Sequence, residues 1–169
     1  MATFVTEYDL APSLQLVPAV PAMPRHRARP ASPPVWIDGD PLTREVLQAF
    51  ERSGGVWTGT KVELMLRRRT AQPISLLARW IVDSLVISVA SRGDYLLPAF
   101  QFDLANATVR RPVFDVLEAL DGTFKDLDLA AWFALPSEVL DGVAPVDLIE
   151  LDAQAVVVAA HIERRAARG

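Results

Sequence analysis

The sequence predicts a mainly α protein: a small helical bundle with a short β-hairpin, or wing, between an N-terminal helical region and a C-terminal helical domain. Three observations predict it. After residue 40, apolar residues recur at three- and four-residue spacing over most of the chain. Proline and glycine pairs interrupt that spacing often enough to keep each helix short. One stretch, Val86-Ile87-Ser88-Val89 and Tyr95-Leu96-Leu97 around Ser91-Arg92-Gly93-Asp94, reads instead as two strands and a turn.

The chain has 169 residues, enough for one domain or two small ones, and 51% of them are hydrophobic, so a real core can form. A net charge of −4 specifies no partner by itself. The absence of cysteine excludes disulfides and thiolate metal sites and suits a reducing, cytoplasmic setting. No apolar run reaches the roughly 18 residues needed to span a bilayer, so no membrane association is expected. Residues 1–20 carry Glu7, Asp9, Pro12 and Pro18 and do not read as a secretory signal.

Eight of the 13 prolines fall within the first 41 residues, and Arg25, His26, Arg27 and Arg29 add positive charge there. Proline cannot donate to a ladder, so residues 1–40 are expected to be a disordered or extended arm. Ala2–Tyr8 and Val35–Ile37 stand out within it as short docking elements.

The second region spans 41–103. Pro41 suits a first helical position, Leu42, Val46, Leu47 and Phe50 share a face, and Gly54-Gly55 ends that helix. A second helix fits Thr60–Arg69 with Val62, Met65 and Leu66 inward and Thr58 or Thr60 as cap. Pro73 restarts the chain, and Ile74–Leu85 makes a third helix facing inward through Leu77, Trp80 and Ile81. The hairpin follows, then a polar loop through Asn106.

The third region spans 104–169. From Pro112, Val113, Val116, Leu117 and Leu120 line one face until Asp121-Gly122 stops the helix. Leu127–Phe133 is a short helix with Asp126 as its expected cap. Ser137–Leu140 and Pro145–Ile149 each make about one turn. Asp152 caps a final helix, Ala153–Arg165.

Charge is uneven along the chain. Residues 61–92 hold Lys61, Arg67, Arg68, Arg69, Arg79 and Arg92 against Glu63 and Asp83, whereas 112–163 hold 11 acids against Lys125 alone. This asymmetry implies two surfaces with different partners.

Little in the chain points to catalysis. His26 and His161 are the only imidazoles, and no zinc-protease, nucleophile-elbow, dinucleotide-binding or phosphate-loop pattern occurs. Asp121, Asp126, Asp141 and Asp152 all fall at helix edges, where carboxylates accept backbone N–H bonds. No enzyme activity, catalytic residue, metal site or cofactor is expected.

Residues 127–149, with Trp132-Phe133, Pro136, Leu140, Gly142, Pro145 and Leu148, followed by the Ala- and Val-rich run Ala155–Ala160, resemble the toxin-binding domain of the bacterial Xre/MbcA/ParS-like antitoxins. The segment Leu97-Pro98-Ala99-Phe100-Gln101-Phe102-Asp103 is similar to the stretch that joins a DNA-binding-like region to this domain in that family. The resemblance covers 94–165, and 58–93 more weakly. Ser137 stands where the family often has Asn, and the first half lacks a clean helix-turn-helix signature.

The resemblance implies an antitoxin that neutralises a cognate toxin, commonly a RES-domain enzyme that consumes NAD. It also implies steric inhibition, in which the C-terminal segment covers the toxin's active-site entrance. Arg164, Arg165, Arg168 and Gly169, with Phe133, are then the candidate toxin-binding residues, the arginines pairing with acidic groups. Residues 60–85 would form a degenerate helix-turn-helix with 86–97 as wing. Lys61, Arg67, Arg68, Arg69 and Arg79 are the candidate contacts to operator DNA if the protein also represses its operon. Two alternatives stay open: a dimerising role for this half in a homo-oligomer, and a transcriptional regulator whose C-terminal domain dimerises without any toxin.

Overall fold

Pro41 opens the first helix, α1 (Pro41–Ala49), which passes into a 3-10 turn, Phe50–Ser53, stopped by Gly54 in the left-handed conformation. This is a computed structural model describing residues 41–91 and 93–169. The expectations for the arm 1–40 and for Arg92 lie outside the described residues. Val46 and Phe50 are fully buried, whereas Leu42 is exposed and the buried Thr43 takes its place on the inner face.

A strand that the sequence did not signal comes next, β1 (Val56–Thr58). Helix α2 (Gly59–Leu66) follows. Its cap is Thr58, whose hydroxyl accepts from Lys61 N–H at 3.3 Å. The helix ends three residues before the expected Arg69, so Arg67, Arg68 and Arg69 lie in a turn. Helix α3 (Pro73–Val82) begins at proline and ends at Val82, three residues short of the expected Leu85.

Strands β2 (Val89–Ser91) and β3 (Asp94–Pro98) form the expected hairpin, though β2 starts at Val89 rather than Val86. β1 adds to its other side, giving a three-stranded antiparallel sheet in the order β1-β3-β2. β3 is central, with Trp57 opposite Leu97 and Ala90 opposite Tyr95. After a 3-10 turn at Ala99–Gln101, β4 (Phe102–Asp103) pairs with β5 (Thr108–Val109), so the expected polar loop is the turn of a second small hairpin.

The remaining helices are α4 (Arg111–Leu120), α5 (Asp126–Ala134), α6 (Pro145–Leu148) and α7 (Ala153–Ala166), with a 3-10 turn at Glu138–Leu140. Asp121 and Asp141 end their elements in the left-handed conformation, and each precedes a glycine that also has positive φ. Asp152 caps α7 by accepting from Ala155 N–H at 2.9 Å. Asp126 makes no capping bond and is itself the first residue of α5, so its expected role as cap is corrected. The protein is therefore mainly helical with a small antiparallel sheet. Among the described residues no helix is long and apolar enough to cross a membrane.

Two apolar clusters organise these elements. The larger joins α1 and β2 to α4, α5, α6 and α7, with α4 and α7 packed lengthwise through Val113, Val116, Leu120, Val156, Ala159 and Ala160. The smaller lies between α2, α3 and the sheet around Val62, Leu66, Leu77 and Leu97, with Phe102 stacked on Trp57 at 5.8 Å. The larger cluster crosses residue 103, because α1 packs on α5.

The segment 97–103 holds the two clusters together. Phe100 stacks on Phe50 at 5.7 Å and tilts against Phe133 at 5.7 Å. Gln101 is fully buried: its Oε1 accepts from Ile87 N–H at 2.7 Å, and its Nε2 donates to the Ile87 and Pro98 carbonyls, both at 2.9 Å. One amide side chain thus satisfies backbone groups of 86–88, which are buried without being in a strand.

Candidate partner-binding surfaces

Helix α7 divides its residues between three directions. Val156, Ala159 and Ala160 face α4 and are fully buried. Arg164 and Arg168, one turn apart, turn toward the end of α4. Arg168 Nη2 lies 2.6 Å from Asp121 Oδ2, and Arg164 Nη1 lies 3.7 Å from the same oxygen. Two cations therefore share the carboxylate that ends α4, clamping the end of the chain to the bundle. All three groups are partly exposed, so the clamp is weak in energy and mainly orients the tail.

The third direction faces solvent. Val158 is 48% exposed and Ile162 37% exposed, four residues apart, with Gln154, His161 and Arg165 beside them. Leu151, just before α7, is 84% exposed. Arg165 makes no ion pair with a described residue and continues the strip toward the exposed Gly169. The predicted tail residues are thus not one group: Arg164 and Arg168 hold the tail on Asp121, while Arg165 and Gly169 are exposed and make no ion pair with a described residue.

Phe133 is fully buried between Phe100 and Trp132, whose ring meets it edge-on at 4.9 Å. Its role is to fill the core, and it has no surface to offer a partner. Of this adjacent pair, which points about 100° apart on a helix, Trp132 is the partly buried member.

The predicted basic residues cluster near α2 and the turn after it. Lys61 Nζ sits 4.2 Å above the Trp57 ring, a cation–π contact that orients but does not neutralise it. Arg68 Nη1 donates to the Leu104 carbonyl at 3.2 Å. Arg67, Arg69 and Arg79 are exposed and make no ion pair with a described residue. Beside Arg79, however, the outer side of α3 is mixed: Ile74 is 65% exposed and Val82 74% exposed with the exposed Ala78 between them, and the exposed Ser75 lies on the same side. The sequence already shows Ile74–Val82 to be more apolar than a groove-reading helix should be; which of these residues stay in water depends on elements distant in the chain.

The site chemistry is that of surfaces. Among the described residues no group of three or more His, Asp or Glu side chains is placed to hold a metal. His161 is exposed on α7. The carboxyl held below its ordinary range is Asp103, lowered chiefly by the side-chain hydrogen bond from Asn106 (2.6 Å), with further backbone bonds from Asn106 and Ala105. It builds the β4–β5 turn. Two shallow depressions are formed by described residues. One lies along 102–112, and the other between α1 and the α5–α6 connection with Glu45, Glu51 and Asp147 on its rim. Compared with known protein families, curated proteins and solved structures, the chain shows no significant similarity to any.

Proposed function

We propose that this chain is an antitoxin-type protein that works in the cytoplasm by binding and neutralising a cognate toxin, with a RES-domain, NAD-consuming enzyme as the class its motifs suggest. The observation that carries the reading is the outward strip of α7. A helix whose inner face already fills the core keeps Val158 and Ile162 in water, with the exposed Leu151 just before it, and exposed apolar residues grouped in this way are a feature of partner-binding surfaces. Beside the strip Arg165 is exposed, while Arg164 and Arg168 are turned to Asp121, so Arg165 is the arginine available to an acidic partner group.

Co-expression with the toxin encoded beside this gene tests the proposal. The intact chain should relieve toxicity. Ile162→Asp and Val158→Asp, which touch no core contact, should weaken the complex by about 2 kcal/mol, or roughly thirtyfold, while leaving the melting temperature unchanged. A neighbour whose toxicity is not relieved, or a complex indifferent to both substitutions, ends this reading.

A second reading, a DNA-binding transcriptional regulator without a toxin, is favoured by one observation. Two short helices, α2 and α3, are followed directly by the β2–β3 hairpin, the sequence of elements that a helix-turn-helix with a wing would need. Arg67 and Arg69 are available to phosphates. The exposed apolar residues Ile74 and Val82 on the outer side of α3 count against it, because a groove-reading helix presents polar groups to base edges. Replacing Arg67, Arg68 and Arg69 with Ala and measuring operator affinity against salt separates the two readings.

A further inference from the structure

We infer that copies of this chain associate head to tail. The basic edge formed by α2 and the β4–β5 turn of one copy seats on the acidic depression between α1 and the α5–α6 connection of the next. The contact is separate from the α7 strip and does not depend on the toxin reading.

The basic edge is convex. Leu64 on α2 is 63% exposed, and Leu104 at the tip of the β4–β5 turn is 52% exposed, followed by the exposed Ala105 and Asn106. The bond from Arg68 Nη1 to the Leu104 carbonyl brings that tip to the end of α2. Lys61, Leu64 and Arg68 recur at helical spacing along the outer side of α2 and the turn after it, with Arg67 beside them. None of these cations makes an ion pair with a described residue. The nearby acids are less available: Glu63 is partly buried, and Asp103 accepts from Ala105 and Asn106.

The depression has the opposite shape and charge. Its floor is apolar through Ala49, Leu135, Pro136 and Val143, and Glu45, Glu51 and Asp147 stand on its rim beside Arg52. The adjoining turn, closed by the Ser137–Val143 bridge, adds the exposed Glu138, Val139 and Asp141. These carboxylates have no ion pair with a described residue either.

Each surface calls for a partner that is apolar at its centre and oppositely charged around it, and each is that partner for the other. A nucleic-acid backbone would satisfy the cations but would set Leu64 and Leu104 against phosphates. Two different patches make the contact heterologous, so a bound copy keeps one patch free and association continues past the dimer unless a ring closes. The charges lie at the rim, so they make the contact sensitive to salt more than strong.

Sedimentation of the full chain over a range of concentrations, in about 0.05 M and about 0.5 M salt, tests this. The native chain should grow beyond a monomer, and the higher salt should weaken association at least about tenfold. Lys61→Gln with Arg67→Gln removes charge from the edge, and Glu45→Gln with Glu51→Gln removes it from the depression. Each double variant should associate at least about tenfold more weakly at low salt, with unchanged circular dichroism. Mixing the two separates this contact from others. One variant keeps the depression and the other keeps the edge, so together they should form a one-to-one complex of native affinity that grows no further. A contact of either surface with its own copy would not recover in this way. A native chain that stays monomeric at the highest concentration, association indifferent to salt, or double variants that fail to complement each other overturns the proposal. So does a monomer in which Lys61→Gln with Arg67→Gln lowers only nucleic-acid affinity, which would give the edge to nucleic acid.

Discussion

The two apolar clusters are closed to different degrees. The larger has 21 buried residues drawn from α1, β2, α4, α5, α6, α7 and the turns and loops between them, and Phe50, Phe100 and Phe133 run through it as a continuous aromatic contact. The smaller has eight buried residues, and Trp57, Trp80, Leu76, Ile81 and Tyr95 are only partly covered at its margin. Burial is the main stabilising term, so the smaller cluster depends more on its boundary. The basic residues and the exposed apolar residues of α3 both lie on that less finished side. The acidic side buries the larger core, and its exposed apolar residues are Val139 and Val143 in one turn and the strip along α7.

The sharpest way to break the comparison is to truncate each core. Phe133→Ala should cost about 4 kcal/mol and Leu66→Ala about 3 kcal/mol, both removing fully buried side chains. If the clusters fold as one unit, chemical denaturation remains a single transition in both variants. If Leu66→Ala splits it, the smaller cluster has its own stability.

Gln101 decides between those outcomes, because it ties the segment between the clusters. Gln101→Met keeps the volume but leaves the Ile87 N–H and two carbonyls without partners, at a cost of roughly 3 kcal/mol. Hydrogen exchange at Ile87 should accelerate first, and unchanged protection there would mean that the clamp is not what holds 86–88. A smaller effect is expected at the tail: Asp121→Ala should change stability by less than about 1 kcal/mol yet raise the mobility of Arg164 and Arg168 in side-chain relaxation measurements. A rigid tail in that variant would show that the clamp does not orient it.

The smallest effect is at Asp103. Its folded pKa is depressed, so the contribution of its charged form is present above the ordinary carboxylate value and is lost as pH falls through the folded value. The Asn106 amide and side-chain signals should shift over that acidic window and not at neutral pH, and Asp103→Ala should abolish the shift.

Much of the fold was legible locally. Thr58 and Asp152 cap their helices, and Pro41, Pro73 and Pro145 start theirs, because each acts through its own backbone within one turn. The face of α4 was readable because Val113, Val116, Leu117 and Leu120 keep helical spacing up to the end of a ten-residue helix. β1 was not, since three residues carry no period and Val56–Thr58 is a strand only because β3 lies beside it. The same holds for β4 and β5.

Of the candidate sites, the sequence alone determined which residue types were available: a basic first half, an acidic second half, and arginines at the end. The tertiary structure decided what each can do. Phe133 went to the core and Trp132 to its rim. Arg164 and Arg168 were drawn to Asp121, more than 40 residues away in the chain, while Arg165 was left to solvent. Helical spacing shows which side chains share a face, but whether that face is covered depends on elements distant in sequence. That is why the exposed strips on α3 and α7 emerge only once the chain is folded.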